Sequence, residues 1–247
     1  MRPGSGQPPN LRAVIFDVDG TLADTERDGH RRAFNAAFAA HGLDIRWSVP
    51  EYGRLLGTTG GQRRIAGYLR DGGYGSAADE LATAVHRTKT ELFRDSVLAG
   101  DLVPRPGLPE LVASLADAGI RIAIATTGRR AWVEPLVRHL LGPGTVEAMV
   151  TGDDVHRLKP DPEVYRRALE TLALAAPSAL AIEDSEVGLR AAAGAGLATV
   201  VVTNAYTEGQ DFTGAAVTRT GFDGERPLRA AECRRLHGQW WSPRAPG

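Results

Sequence analysis

Apolar side chains follow two different rhythms along this chain. Residues 11–18 (LRAVIFDV) form a short β-branched run that ends in Asp and Gly, as a strand buried on both faces would. Four runs of the same kind follow at 120–126, 146–150, 179–183 and 198–203. Between them, residues 108–118, 130–141, 162–173 and 186–195 place their apolar positions at helical spacing, each long enough for a right-handed crossover. This alternation predicts an α/β fold with a Rossmann-like, doubly wound parallel sheet.

About a hundred residues separate the first strand from the second, and they carry almost no strand pattern. Alanine-rich amphipathic stretches near 28–41, 50–56, 60–70 and 77–96 instead predict about four helices, broken by Gly-rich turns. The expected organisation is a core domain over 11–24 and 101–215 and a mobile helical cap domain inserted over 25–100. A Pro-Arg-Pro-Gly hinge at 104–107 closes the insertion, and a cleft is expected between the two domains. Residues 1–10, rich in Gly and Pro, are expected to be a disordered tail, and 216–247 an irregular C-terminal tail.

Composition narrows the class of protein. The 247 residues are 43% hydrophobic and 24% charged, which excludes a disordered or collagen-like chain. With 29 basic against 30 acidic side chains and no basic block, neither nucleic-acid nor membrane binding is expected. No apolar stretch approaches the roughly 20 residues that span a bilayer, and the first ten lack a secretory core. A cytoplasmic monomer is the expectation. Cys233 is the single cysteine, and His41, His86, His139, His156 and His237 show no ligand spacing and read as surface residues. Only Lys89 and Lys159 among the 29 basic residues are lysines, so a compact ammonium survives at just two places.

The chemistry concentrates at strand ends. Phe16-Asp17-Val18-Asp19-Gly20-Thr21-Leu22 closes the first strand, at the edge where open α/β sheets bind ligands. Strand alternation would put Asp17 and Asp19 on one side, where a hard divalent cation such as Mg²⁺ relieves their repulsion. Thr126, Thr127 and Gly128 end the second strand before a helix whose amino terminus can hold a phosphate. Lys159-Pro160-Asp161-Pro162 precedes another helix, with Asp161 as the expected cap and Pro162 at the first helical position. Glu183 and Asp184, at the fourth strand end, add two carboxylates for a metal. Together these residues describe a phosphate and Mg²⁺ site.

In this order, Asp17-x-Asp19-Gly20-Thr21, Thr126, Lys159 and Glu183-Asp184 resemble the four motifs of the haloacid dehalogenase superfamily. The resemblance implies that Asp17 attacks phosphorus to give an aspartyl-phosphate and that Asp19 is the general acid/base. It implies that Thr126 and Lys159 hold the phosphoryl group. Mg²⁺ would be bound by Asp17, the main-chain carbonyl of Asp19, Asp184 and Glu183. Runs in the insertion, among them Ala23-Asp24-Thr25-Glu26, His30-Arg31-Arg32-Ala33-Phe34-Asn35 and Thr59-Gly60-Gly61-Gln62-Arg63-Arg64-Ile65, resemble the CbbY-type phosphatases. That group belongs to the branch with β-phosphoglucomutase and phosphoglycolate phosphatase.

The implied substrate is a small sugar phosphate, xylulose-1,5-bisphosphate in Calvin-cycle organisms. Arg64 and Lys89 are candidates for its second phosphate, and Glu26 and His30 for its hydroxyls. Gln62 stands where the resemblance leads one to expect a lysine. Phosphoglycolate hydrolysis and phosphomutase activity remain alternatives, as does a receiver-like phospho-aspartate module from a different class.

Overall fold

The computed structural model describes residues 9–58 and 60–242. The expected N-terminal tail therefore lies outside the described residues apart from Pro9 and Asn10, as do 243–247.

Strand β1 (Ala13–Phe16) is buried at every position, because parallel neighbours flank it and helices cover both its faces. It pairs with β2 (Arg121–Ala125) on one side and β4 (Ala179–Glu183) on the other. With β3 (Ala148–Val150), β5 (Ala198–Val202) and β6 (Val217–Arg219), the sheet runs β3-β2-β1-β4-β5-β6, all parallel. Its two faces differ in side-chain size. Ala13, Ala123, Ala125, Ala179 and Ala181 share a core with residues of α7 (Glu163–Thr171) and α8 (Glu186–Gly194). These short side chains let α7 approach the sheet closely, and α7 carries Tyr165 into that core. On the helices α5 (Leu108–Asp117) and α6 (Arg130–Leu141), buried leucines and valines recur at helical spacing.

The chain separates into two compact units, Met1–Ala23 with Val103–Gly247, and Asp24–Leu102. The second unit begins with a π-helical turn (Thr25–His30) and continues with α1 (Arg31–Ala40), α2 (Val49–Leu55), α3 (Gly61–Asp71) and α4 (Ala78–Ala99). Ser48 and Glu51 form a reciprocal capping box at the start of α2. Phe34, Phe38, Trp47 and Tyr52 pack edge to face or tilted at the centre of this unit.

Three expectations need correction. Of the expected irregular tail at 216–247, the described residues 216–242 are not irregular: they supply edge strand β6 and helix α9 (Ala230–Trp241), which contacts β5 and α5. The buried face of α9 is Ala230, Cys233, Leu236 and His237, a helical spacing disguised by small and polar residue types. His237 is accordingly not on the surface, since its ring Nε2 lies 2.9 Å from the Pro177 carbonyl and burial lowers its pKa. Pro162 sits at the N-cap of α7 rather than inside it, while the Asp161 carboxylate accepts from the Glu163 N–H. Cys233 is buried, which pushes its thiol up to about 12 and makes it unreactive.

Candidate active site

The register of three strands assembles the site. Phe16 is level with Ile124 of β2 and Ile182 of β4, so Asp17 leaves β1 level with Ala125, the residue before Thr126, on one flank and with Glu183 on the other. The Asp17 N–H donates to the Ile182 carbonyl at 3.0 Å, fixing the carboxylate's root. Because β1 ends at Phe16, strand alternation does not place Asp19. A tight turn does, in which Thr21 and Leu22 donate to Val18 and Gly20 donates to Ala23. Gly20 has φ +77, and a Cβ there would fall 2.3 Å from Asp184 Oδ2, so both backbone and space require glycine.

Lys159 lies between two carboxylates. Its Nζ donates to Asp17 Oδ1 and to Glu183 Oε1, each at 2.6 Å, and its side chain is 6% exposed. Burial opposes its charge, but the two carboxylates outweigh burial and hold the ammonium protonated, with its pKa raised. Tyr165 completes the arrangement: its ring lies 5.0 Å from Nζ, and its hydroxyl donates to Glu183 Oε1 at 2.5 Å. Burial and the charge of Glu183 raise the tyrosine pKa well above normal, so it stays a donor. Glu183 Oε2 accepts from the Asp184 N–H and faces Gly188, where a Cβ would lie 1.9 Å away. Glu183 is therefore, first, the anchor of Lys159.

Carboxylate oxygens of Asp17, Glu183 and Asp184 all lie within 4.8 Å of one another, and the three residues are buried. One ammonium cannot offset three clustered carboxylates. The imbalance is visible in Asp184, raised well above its ordinary range by burial and by Asp17 and Glu183, although Asn204 Nδ2 donates to its Oδ2 at 2.7 Å. Glu183 is likewise raised to about 7, by burial, against the opposing effect of Lys159. A buried, oxygen-rich, over-negative cluster is chemically suited to a hard divalent cation such as Mg²⁺. The carboxylate of Asp19 is not part of this cluster, and the donor expected from that residue is its main-chain carbonyl.

The remaining core candidates form the turn after β2. Thr126 is fully buried, and its Oγ1 accepts from the Gly128 N–H at 3.0 Å. Gly152 holds the turn from below, donating to the Gly128 carbonyl at 2.9 Å. Thr127 and Gly128 remain half-buried, with α6 beginning two residues further on.

Within the inserted unit, the four candidates fall into two linked pairs. Tyr52 donates to Glu26 Oε2 at 2.6 Å and accepts from Arg64 Nη1 at 3.2 Å. Arg64 also donates to the carbonyls of Leu55 and Thr58, so much of its guanidinium is occupied in bracing the α2–α3 connection. Lys89 Nζ lies 2.8 Å from His30 Nδ1 and 4.8 Å from the Phe34 ring. Burial, then Lys89 and Arg64, drive the His30 pKa well below its ordinary value, so the ring is neutral and its Nδ1 accepts from the ammonium. Lys89 is thus a buried residue of the unit and not part of a solvated helix face. Gln62 donates to Thr83 Oγ1 at 2.8 Å.

Tyr165 and Asn204 escape a reading of the sequence. Tyr165 occupies an ordinary apolar position in the helical pattern of α7, and Asn204 follows β5 with no motif around it. Tyr165→Phe removes one donor from a buried carboxylate, and its expected cost is about 1–3 kcal/mol. Thermal melting should fall by about 2–4 °C per kcal/mol, together with a several-fold loss of kcat as Glu183 holds Lys159 less firmly. An unchanged melting temperature and kcat would remove Tyr165 from the site.

Residues 11–196 match the profile of the haloacid dehalogenase-like hydrolases. The chain is 46% identical to protein CbbY of Cereibacter sphaeroides over 208 residues, covering 83% of this chain and 90% of that protein. Among solved structures, an Asp-to-Asn variant of Rhodobacter sphaeroides CbbY in complex with xylulose-1,5-bisphosphate superposes with a TM-score of 0.72 at 43% identity, covering 86% of this chain and 95% of that one. A putative β-phosphoglucomutase from Thermotoga maritima gives a TM-score of 0.69 at 26% identity, over 84% and 94% of the two chains. The chain belongs to the haloacid dehalogenase-like hydrolase family, among its CbbY-like phosphatases, and is an enzyme.

Proposed function

We propose that this enzyme is a Mg²⁺-dependent phosphatase that hydrolyses a small sugar phosphate through an aspartyl-phosphate on Asp17, with xylulose-1,5-bisphosphate as its substrate. The observation that carries the reading is the ammonium of Lys159, shared between Asp17 and Glu183 beside Asp184. Such an ammonium orients the nucleophile and lies where phosphoryl oxygens need positive charge. The ligand of the similar CbbY structure supports the choice of substrate.

In the first step, Asp17 attacks phosphorus, the bond from phosphorus to the sugar oxygen breaks, and Asp19 gives its proton to the departing alkoxide. In the second, Asp19 takes a proton from water as the water oxygen attacks the same phosphorus, which releases inorganic phosphate and restores the Asp17 carboxylate. Thr126, Thr127 and Gly128 hold phosphoryl oxygens through hydroxyl and main-chain N–H donors. Asp17, Asp184, Glu183 and the Asp19 carbonyl would hold Mg²⁺, which when bound would supply neutralisation of the charge on the transferring group.

The remote phosphate of a bisphosphate is assigned to Lys89 and Arg64 of the inserted unit, and the hydroxyls to Glu26 and His30. We place the enzyme in the cytoplasm of a carbon-fixing cell, as a monomer; among the described residues no helix is long and apolar enough to cross a membrane.

Phosphate release from xylulose-1,5-bisphosphate, ribulose-1,5-bisphosphate, phosphoglycolate and glucose 1-phosphate at micromolar concentration tests the reading. Preference for phosphoglycolate overturns the bisphosphate assignment. Isomerised sugar in place of free phosphate, given a hexose 1-phosphate and a trace of bisphosphate, favours the mutase chemistry suggested by the similar phosphoglucomutase. Lys89→Arg should raise KM for the bisphosphate about tenfold with kcat near wild type, the signature of lost uniform binding. Equal effects on a monophosphate would detach Lys89 from the second phosphate.

A further inference from the structure

Arg105, on the return from the inserted segment to α5, is a buried cation with a specific set of acceptors. Its Nη1 donates to the carbonyl of Gly20 at 2.7 Å and to that of Val202 at 2.9 Å, and its Nη2 donates to that of Thr203 at 2.6 Å and to that of Thr220 at 3.4 Å. Its own N–H donates to the Leu22 carbonyl at 2.9 Å, and the guanidinium lies 5.7 Å from the ring of Phe222. One side chain thus joins the turn after β1 to the carboxyl end of β5. Resting on the phosphatase reading above, we infer that Arg105 is a positioning residue for the acid/base step, holding the turn that aims Asp19.

The reasoning is local and geometric. The peptide between Asp19 and Gly20 is held by the Gly20 N–H donating to the Ala23 carbonyl. The next peptide, between Gly20 and Thr21, is held within the turn by the Thr21 N–H donating to the Val18 carbonyl and from outside it by Arg105 at the Gly20 carbonyl. Only the two dihedrals of Gly20 lie between these fixed planes, and glycine is the residue least able to hold them by itself. Arg105 adds the tie from outside the turn, to the end of β5, and this tie sets how the turn and the Asp19 side chain sit against the sheet edge, while the Asp19 carbonyl stays with the peptide that Ala23 holds. A rigid fork with several donors can serve these four carbonyls at once, whereas an ammonium on a flexible stem supplies the charge without the geometry.

The test compares two substrates on each protein preparation. A sugar alkoxide must be protonated as it leaves, whereas nitrophenolate leaves without a proton, and kcat/KM reports only the step in which Asp17 is phosphorylated. For Arg105→Lys, kcat/KM for the sugar phosphate should fall about tenfold or more, part of the about 10²–10⁴ that general acid catalysis supplies. The value for p-nitrophenyl phosphate should stay within about threefold of wild type. Because the ratio of the two is taken on the same sample, loss of folded enzyme cancels. Should Arg105→Lys yield no folded protein, Arg105→Gln gives the same comparison. A parallel fall for both substrates, or no fall for either, overturns the positioning role and leaves Arg105 a structural brace. A wild-type enzyme that releases phosphate from neither substrate would instead overturn the phosphatase reading, and this inference with it.

Discussion

Asp17→Asn is expected to lower kcat by about four orders of magnitude or more, equivalent to about 5.5 kcal/mol of lost transition-state stabilisation. The amide nearly matches the carboxylate in shape but cannot act as the nucleophile, so the two-step route through an acyl phosphate closes altogether. The fold should survive. Asp17 helps to raise both Asp184 and Glu183, so removing its charge relieves repulsion inside the cluster, while Lys159 keeps Glu183 as its partner. In excess EDTA, the variant should melt no lower than wild type. Added Mg²⁺ should raise its melting temperature less than it raises that of wild type, because a ligand stabilises only as far as it binds the native state. Turnover at the wild-type rate in the purified variant would remove Asp17 from the nucleophile's role. A melting temperature several degrees below wild type in EDTA would show instead that the ion pair with Lys159 outweighs the repulsion.

The parts of this molecule that a sequence displays are those whose reason is local. Strands β1, β2, β4 and β5 are legible because a strand covered on both faces must be apolar at every position. Asp17, Asp19, Lys159 and Glu183 are legible because each stands in a short motif at a strand end. Other features depend on partners far away in the chain. Arg105 meets Gly20 across 85 residues and Thr203 across 98, and nothing in Pro-Arg-Pro-Gly distinguishes a buried brace from a solvated hinge. Tyr165 looks like any apolar position of α7 until β4 places Glu183 against its hydroxyl. β6 is three residues long and only partly buried, and α9 buries Ala, Cys and His where a reader looks for Leu and Ile. The two lysines divide along the same line. Lys159 is legible from its motif, whereas the burial of Lys89 against Phe34 and Phe93 follows only from the packing of α1 and α4.

Lys159 should be the second position at which a single change removes nearly all activity, and for a different reason. Lys159→Arg keeps the charge, but the wide planar fork cannot occupy a point 2.6 Å from both Asp17 Oδ1 and Glu183 Oε1 above the ring of Tyr165. Misplacing this charge should cost about 10²–10³ in kcat, the range found when one preorganised donor to a developing anion is lost. Lys159→Met should also destabilise the Mg²⁺-free protein by about 3–5 kcal/mol at neutral pH, since it leaves buried carboxylates uncompensated. That deficit carries a pH signature. Burial already raises Glu183 to about 7 with Lys159 opposing, so without the ammonium the folded state binds this proton more tightly still. A carboxylate raised on folding adds stability below its unfolded pKa, and that stability is lost as pH rises through the folded value. The gap in melting temperature between Lys159→Met and wild type, measured in EDTA, should therefore be widest above pH of about 7 and narrow as the pH falls toward the ordinary carboxylate range. A gap that is constant from acid to neutral pH would mean that Lys159 contributes packing rather than charge, and the shared ammonium could not then be what organises the nucleophile.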